Sequence, residues 1–506
     1  MTLDDVIGRI SSTEVNYYQS LEVFLFNLLK NSIDNDGSGR KMLKLKGGDI
    51  GDSFCPLGVE YIKGGTIITF RFFSSRANID GVLDDVNLLI KLSGGRKNVK
   101  NLLLISINPM GGEDKQNLAK TLRRVYGLDF FFWDKEEIND LIEKNSNYSS
   151  DLIDNLFKAR VETIVNGKRI DWLSQRQKIV DELKDCYRQG QFYLFLGAGV
   201  SSSAGMPDWN TLLNSLFVSY LSIDLDVKNK IDDGNVFRFV KRFNEINDSS
   251  ALMAARYLRK GMSSIPSESK GFVASISKNL YELRNKDFSE ESELIKIISS
   301  LCIPKRTGAA IRSIVTYNFD DLIEKQLKRN SVNYRCIYNG HDTYAPYELP
   351  IYHVHGFLPE KKEDYEDIDS TDLIFSEEGY HQLYSDPYHW SNLVQLSCLR
   401  ENNCLLIGLS MNDPNLRRLL EISMLHSGQS KHYAFMKRIS LDFFCYEKID
   451  GECRQIIDDK KSASEYLEQH HDLSFALLQE LGVKTIWFEE YDEIPKILEE
   501  LYQQKF

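Results

Sequence analysis

At 506 residues, with 42% hydrophobic and 27% charged side chains, the chain exceeds one ordinary domain and can bury two or three cores. A net charge of −12 argues against nonspecific binding of nucleic acid or an anionic membrane by the whole surface. The amino end lacks a basic-then-apolar signal pattern, no apolar run nears the ~18 residues of a membrane span, and the eight cysteines are scattered singly, so a cytoplasmic chain with reduced thiols is expected.

Residues 1–165 read as a smaller α/β domain. A helix with apolar positions Val15, Tyr18, Leu21, Phe24, Leu25 and Leu28 comes first, then a polar break at Asn35 to Gly39. PLGVEYIKGGTIITFRFF suggests two strands joined at Gly64-Gly65, and NIDGVLDDVNLLIKL an amphipathic helix that stops at Gly94-Gly95. VKNLLLISI and LDFFFWD read as strands, KQNLAKTLRRVYG and KEEINDLIEK as helices. This order resembles restriction-endonuclease-like folds of the Mrr kind, whose chemistry needs an acid on one strand and an acid-x-Lys pair on the next to grip Mg²⁺. The pair falls here on Thr69, a poor metal ligand, and Arg71, which cannot deprotonate to serve as a base. Glu60 and Lys63 point to opposite strand faces, while Asp49 and Asp52 supply only one half of such a site. The expectation is a nuclease-like scaffold without nuclease activity that binds a partner protein, nucleic acid or another copy of itself.

A helical connector over 166–190 leads to the apolar run FYLFL and the stretch FLGAGVSSSAGMPDW, Phe195 to Trp209. The run reads as a buried parallel strand, and Gly197 and Gly199 as an exit that lets backbone amides approach a phosphate. Helical segments follow, giving an expected insertion at about 211–305. Strand-like runs then recur at IRSIVTYN, NYRCIY, PIYHVHG, CLLIGLS, HYAFMK and VKTIWF, separated by helix-length segments. The alternation predicts a doubly wound parallel, Rossmann-like sheet over 191–506.

Ligands of open parallel sheets bind beyond the carboxyl ends of strands, where GAGVSS, TYNFDDLIE (from Thr316), YHVHG and GLSMNDPN (from Gly408) all sit. An imidazole, with a pKa near ~6.5, can take a proton at neutral pH, so His355, before Gly356, is a candidate base. His353, two residues earlier, reads as a packed strand histidine. Asn318 and Asp320 fit either a ligand site or an Asx-type turn capping the next helix, and Asp413, before Pro414, fits a helix N-cap equally well.

In that order the motifs resemble the sirtuin superfamily, and most of all its divergent bacterial branch of NAD-hydrolysing immune effectors, the type found in Thoeris and short-Argonaute systems. The resemblance runs from about Ile170 to the carboxyl end. It implies that His355 is the catalytic base, that Asn318 holds a water and the nicotinamide ribose, and that Asp320 bonds the nicotinamide carboxamide. It also implies that Gly197, Ala198, Gly199 and Ser201 cradle the pyrophosphate, that Asp208 and Trp209 cover the nicotinamide end, and that Gly408, Ser410 and Asp413 meet the adenosine ribose. Thr316 belongs to the same dinucleotide-binding set. Tyr317 stands where sirtuins carry glutamine, and Asn210 where they carry arginine.

Protein-deacylating sirtuins carry two Cys-x-x-Cys pairs shortly after the catalytic histidine. Between His355 and Cys398 there is no cysteine, and neither Cys398 with Cys404 nor Cys445 with Cys453 has structural-zinc spacing. No zinc is therefore expected. The weight moves from deacylation to cleavage of NAD+ by water, with NAD+ as substrate, in an effector of antiphage defence. An NAD-dependent protein deacylase, a DNA nuclease and a nucleotide sensor without turnover are the alternatives. Since free NAD+ hydrolysis harms the cell, the activity is expected to await a phage trigger, sensed through a homo-oligomer, a defence partner (an ATPase, an Argonaute-like protein or a sensor) or the amino-terminal domain. No membrane is implied.

Overall fold

The computed structural model describes residues 1–13, 17–45, 51–71, 79–156, 159, 171–190, 192–208, 211–213, 215–216, 269–304, 311–365, 368, 373–374, 381, 383–427, 431–449 and 452–502. Val15, Asp49, Trp209, Asn210 and most of the expected insertion at 211–305 lie outside them. The chain divides into two compact units, Met1–Gln175 with Leu441–Leu481, and Arg176–Ser440 with Gly482–Phe506.

The first unit holds a mixed sheet of β1 (Leu43–Lys44), β2 (Ser53–Cys55), β3 (Thr66–Phe70), β4 (Asn101–Ile105) and β5 (Asp129–Trp133), in that order. β2 is antiparallel to β1 and β3, whereas β4 lies parallel to β3 and β5. The period-two alternation of a strand sorts the core into two layers. Ile68 and Leu103 pack with Leu21, Phe24, Leu25 and Leu28 of helix Tyr17–Asp34, the one expected at the start of the chain. Ile67, Leu102 and Leu104 pack with Val86 and Leu89 of helix Ile79–Leu92 and with Leu118 of helix Gly112–Thr121. One local reading changes. PLGVEYIK closes into a short hairpin, Gly58–Val59 against Ile62–Lys63, and β3 starts only after Gly64, whose φ of +94° turns the chain out of that pairing.

The nuclease-like residues have an arrangement of their own. Asp52 is 2% exposed; its Oδ1 accepts a hydrogen bond from Thr69 Oγ1 at 2.7 Å and lies 3.5 Å from Arg71 Nη1. The other guanidinium nitrogen, Nη2, bonds Asp85 at 2.9 Å. A guanidinium thus stands between two carboxylates where a nuclease would hold a divalent cation. Glu60 sits in the hairpin turn with φ +46° and pairs with Lys144, away from that cluster.

The second unit is built on seven parallel strands: β6 (Phe192–Leu196), β7 (Ile311–Thr316), β8 (Tyr334–Ile337), β9 (Leu349–His353), β10 (Asn403–Ile407), β11 (His432–Lys437) and β12 (Val483–Phe488). Their order is β8-β9-β7-β6-β10-β11-β12, every neighbouring pair parallel. FYLFL, NCLLI and HYAFMK are apolar on both faces because helices cover both sides of a parallel sheet. The chain leaves β6 toward β7, β8 and β9 on one side and later crosses to β10, β11 and β12 on the other, so the order reverses about β6. Register then aligns the strand ends: Leu196 pairs with Thr316 and with Ile407, and Thr316 with His353. The residues that follow these positions, Gly197, Tyr317, Val354 and Gly408, therefore emerge level with one another at the carboxyl edge of four adjacent strands.

Candidate active site

The loop after β6 and the loop after β10 meet through glycine. An added Cβ would lie 2.5 Å from Gly408 O at Gly197 and 2.7 Å from Gly408 Cα at Gly199, and Gly408 itself takes φ +70°. The Gly197 amide bonds Ile407 O and the Gly199 amide bonds Gly408 O, both at 2.9 Å. These two glycines are therefore required first by the close approach of two strand ends, and their N–H groups are engaged within the protein rather than aimed outward as an anion cradle. Helix Ala198–Ser202 starts here, with Ala198 and Gly199 exposed and Val200 and Ser201 buried.

Ser201 is the hub of the site. Its Oγ accepts a hydrogen bond from Asn318 Nδ2 at 2.8 Å, and its hydroxyl lies beside the Asp320 carboxylate, holding its pKa down. Asn318 Nδ2 also donates to Gly197 O at 3.0 Å, and the Asn318 backbone N–H donates to Thr316 Oγ1 at 3.1 Å. Both hydrogens of the Asn318 amide are thus engaged, and the contact with a carbonyl fixes which end is nitrogen. Asn318 Oδ1 is buried and accepts no hydrogen bond from the described residues. Asp320 is 6% exposed, and burial pushes its pKa from the ordinary 3.8 up to about 6 against the opposing pull of the Ser201 hydroxyl and the Leu322 N–H. That Leu322 contact, 3.2 Å to Oδ1, makes Asp320 an Asx-type cap for helix Leu322–Arg329 as well.

His355 ends the turn after β9. Its imidazole is buried with its edge against the Tyr317 ring, centroids 4.7 Å apart, and Nε2 lies 3.9 Å from Asp413 Oδ2. Burial lowers the His355 pKa from 6.5, and the Asp413 charge works against that shift. Tyr317, in the position of the sirtuin glutamine, hydrogen-bonds Gln395 through its hydroxyl and so packs beside the histidine.

Asp413 accepts the Leu416 N–H at 2.7 Å and caps helix Pro414–Ser427, as the N-cap reading expects, while its other oxygen faces His355. Ser410 is exposed and, among the described residues, accepts the weak 3.4 Å contact from Asn412 N, in a loop where Met411 adopts φ +60°. Asp208 is exposed and accepts the Thr211 N–H at 2.7 Å, an N-cap role. Asn318, Asp320, Ser201, Thr316, Gly197, Gly408, His355 and Asp413 come together, whereas no contact joins Asp208 to them among the described residues.

Two more buried residues adjoin the Asn318 loop: His353, packed in its strand as the sequence reading expects, and Glu324. His353 is 1% exposed, its Nδ1 3.2 Å from Asn318 O and its Nε2 2.7 Å from Glu324 Oε1, with Cys336 Sγ 3.9 Å from the same oxygen. The signal for Glu324 is its place on helix Leu322–Arg329, three residues before Leu327 and hence on the apolar face, where a carboxylate needs a partner. Glu324, Cys336 and His353 are also close enough to be candidate ligands of a metal ion.

In open α/β sheets ligands bind where the strand order switches, which is where these polar residues gather, and residues 312–450 match the family model described as a SIR2-like domain. The match takes in Asn318, Asp320, His355, Gly408 and Asp413; the glycine loop of Gly197 precedes it. Curated relatives include proteins named NAD(+) hydrolase ThsA from Enterococcus faecium, 23% identical over 64% of this chain, and from Bacillus cereus (strain MSX-D12), 26% identical over 61%. A third, from Acinetobacter baumannii (strain 532279), is 21% identical over 64% of the chain. The matches span 58%, 53% and 56% of those relatives, a little over half their length. Among the described residues no helix is long and apolar enough to cross a membrane.

Proposed function

We propose that this chain is an NAD+ glycohydrolase that releases nicotinamide and ADP-ribose and serves as an effector of antiviral defence by depleting NAD+. The observation that carries the reading is the convergence of Asn318, Ser201, Asp320, His355 and Asp413 at the level ends of four adjacent parallel strands. The SIR2-like domain and the names of the relatives support the same chemistry.

In this reading the bond between ribose and nicotinamide breaks with its electron pair leaving on nicotinamide. Asn318 offers an acceptor, Oδ1, to a water or a ribose hydroxyl, with its orientation locked by Gly197 O and Ser201 Oγ. His355, held in its neutral form at pH 7 by burial, receives the proton as that water attacks the ribose carbon. Asp320, ionised above about 6, accepts from the nicotinamide carboxamide. Gly408 and Asp413 lie toward the adenosine ribose, and the loop from Ala198 to Ser201 toward the pyrophosphate. The chain works in the cytoplasm as a homo-oligomer or with a defence partner, released by infection.

The test is nicotinamide release by purified protein, together with cellular NAD+ in cells expressing the chain, with and without phage. Asn318→Ala and His355→Ala should each lower turnover by about 10²- to 10⁴-fold, the range of a lost positioned base. Turnover indifferent to both substitutions, or NAD+ that stays level in infected cells, would reject the assignment.

A further inference from the structure

The Asn318 loop is held from behind by two groups that take no part in the scheme above. His353 is the last residue of β9, and its imidazole reaches Asn318 O with Nδ1 at 3.2 Å and Glu324 Oε1 with Nε2 at 2.7 Å. A carbonyl oxygen can only accept, so Nδ1 carries a hydrogen. The 2.7 Å contact between Nε2 and a carboxyl oxygen requires a second proton between them. Whichever atom holds that proton, the two side chains together carry no net charge, and this is the condition under which a carboxyl group and an imidazole tolerate 1% exposure. The Phe357 ring, 4.0 Å from the imidazole centroid, and Cys336 close the surroundings.

We propose that Glu324 and His353 form a proton-sharing pair that fixes the main chain of Asn318 and thereby aims Asn318 Oδ1 at the reacting centre. They are positioning residues, and the link to catalysis rests on the NAD+ hydrolase reading. With Thr316 Oγ1 on the Asn318 N–H, Gly197 O and Ser201 Oγ on its Nδ2, and His353 on its carbonyl, the residue is pinned at three groups. Loss of the imidazole donor strands a buried carbonyl and frees the loop to relax. Loss of Glu324 has the same effect at one remove, because Nε2 then has no partner and the ring loses its orientation. The pair acts through geometry and hydrogen count rather than charge. A glutamine at 324 can donate its amide N–H to Nε2 and leave the Nδ1 hydrogen on the Asn318 carbonyl.

The experiment compares Glu324→Ala, Glu324→Gln and His353→Gln with the full-length wild type in two measurements. In steady-state nicotinamide release, Glu324→Ala should lower kcat by about 100-fold, the size of effect a misplaced reacting group produces, while KM moves by less than about threefold. Glu324→Gln should rescue most of the lost kcat. In ¹⁵N-histidine-labelled protein, the wild type should show a deshielded imidazole N–H resonance that His353→Gln removes and that needs no NAD+. Glu324→Gln as inactive as Glu324→Ala, with both folded by circular dichroism, would overturn the proposal. So would one zinc per wild-type chain that Cys336→Ser removes, since Glu324, Cys336 and His353 would then be metal ligands. A wild type that releases no nicotinamide even from infected cells overturns the catalytic link along with the functional reading; the resonance then decides the pair by itself.

Discussion

Asp320 stands in a site that opposes its own ionisation. Burial raises its folded pKa to about 6 from an ordinary 3.8, so the proton favours the folded state. The sign follows from linkage: the stability associated with the protonated form is fully present below 3.8 and is lost as pH rises through about 6. Two pKa units correspond to about 3 kcal/mol by which the ionised carboxylate weakens the fold near pH 7.5. Asp320→Asn should therefore raise stability at pH 7.5 by about 1–3 kcal/mol, a rise of several degrees in Tm. The same variant should lose most NAD+ turnover. In the wild type kcat/KM should fall as pH drops through about 6, and the asparagine variant should keep only the limb set by His355. A destabilised variant with full activity would remove Asp320 from the site. The helix cap that Asp320 makes through Leu322 N–H needs no charge, and while that cap was legible in the motif the raised pKa was not: the shift comes from burial that only the fold supplies. His353 read correctly as a packed strand histidine, but its partnership with Glu324 was illegible, since it joins a helix and a strand that sequence spacing does not connect.

The elements around the site were easier to read than the contacts between them. FYLFL and CLLI announce strands by continuous apolar character, IRSIVT and YRCI belong to strand-like runs interrupted by polar residues, and all four lie in strands. Their order about β6, and the register that levels their ends, depend on crossovers that no local pattern encodes. The glycine loop illustrates the difference. Gly197 and Gly199 read from sequence as a phosphate cradle, yet the closest demand on them is the backbone of Gly408, itself legible only as one residue of a strand end. Gly408→Ala should thus act at two elements together. Its φ of +70° is strained for any side chain, and the new Cβ would meet Val200 N at 2.6 Å and Gly199 C at 2.9 Å. The left-handed backbone alone costs about 1–2 kcal/mol, and separation of the two strand ends adds to it. The expected result is a lower Tm and a raised KM for NAD+ in nicotinamide-release kinetics. Gly37→Ala, also at positive φ but with open space around it, is the control and should affect stability without KM.

At the scale of the whole chain, two units carry two acidic sites with opposite fates. In the unit of seven parallel strands the carboxylate of Asp320 is left without a cationic partner among the groups that set its pKa, and the strand ends keep a polar edge. In the amino-terminal unit Asp52 is buried against Thr69 and the Arg71 guanidinium, which also grips Asp85. A guanidinium keeps its proton at any accessible pH, so this cation cannot be displaced by losing charge, nor can it serve as a base. Mg²⁺ entering between Asp52 and Asp85 would first have to displace the guanidinium from both carboxylates, a step that costs about 3–5 kcal/mol for a broken buried pair. Supercoiled and linear DNA incubated with the purified chain and Mg²⁺ should accordingly remain intact over times in which NAD+ is consumed. Restoring a lysine with Arg71→Lys, even beside Thr69→Asp, should allow a cation to enter and be detected as Mg²⁺-dependent stabilisation in thermal melts, an effect absent from the wild type. Mg²⁺-dependent cutting by the wild type that disappears in Asp52→Asn, while nicotinamide release persists, would instead make the amino-terminal unit a working nuclease and the chain an enzyme with two chemistries.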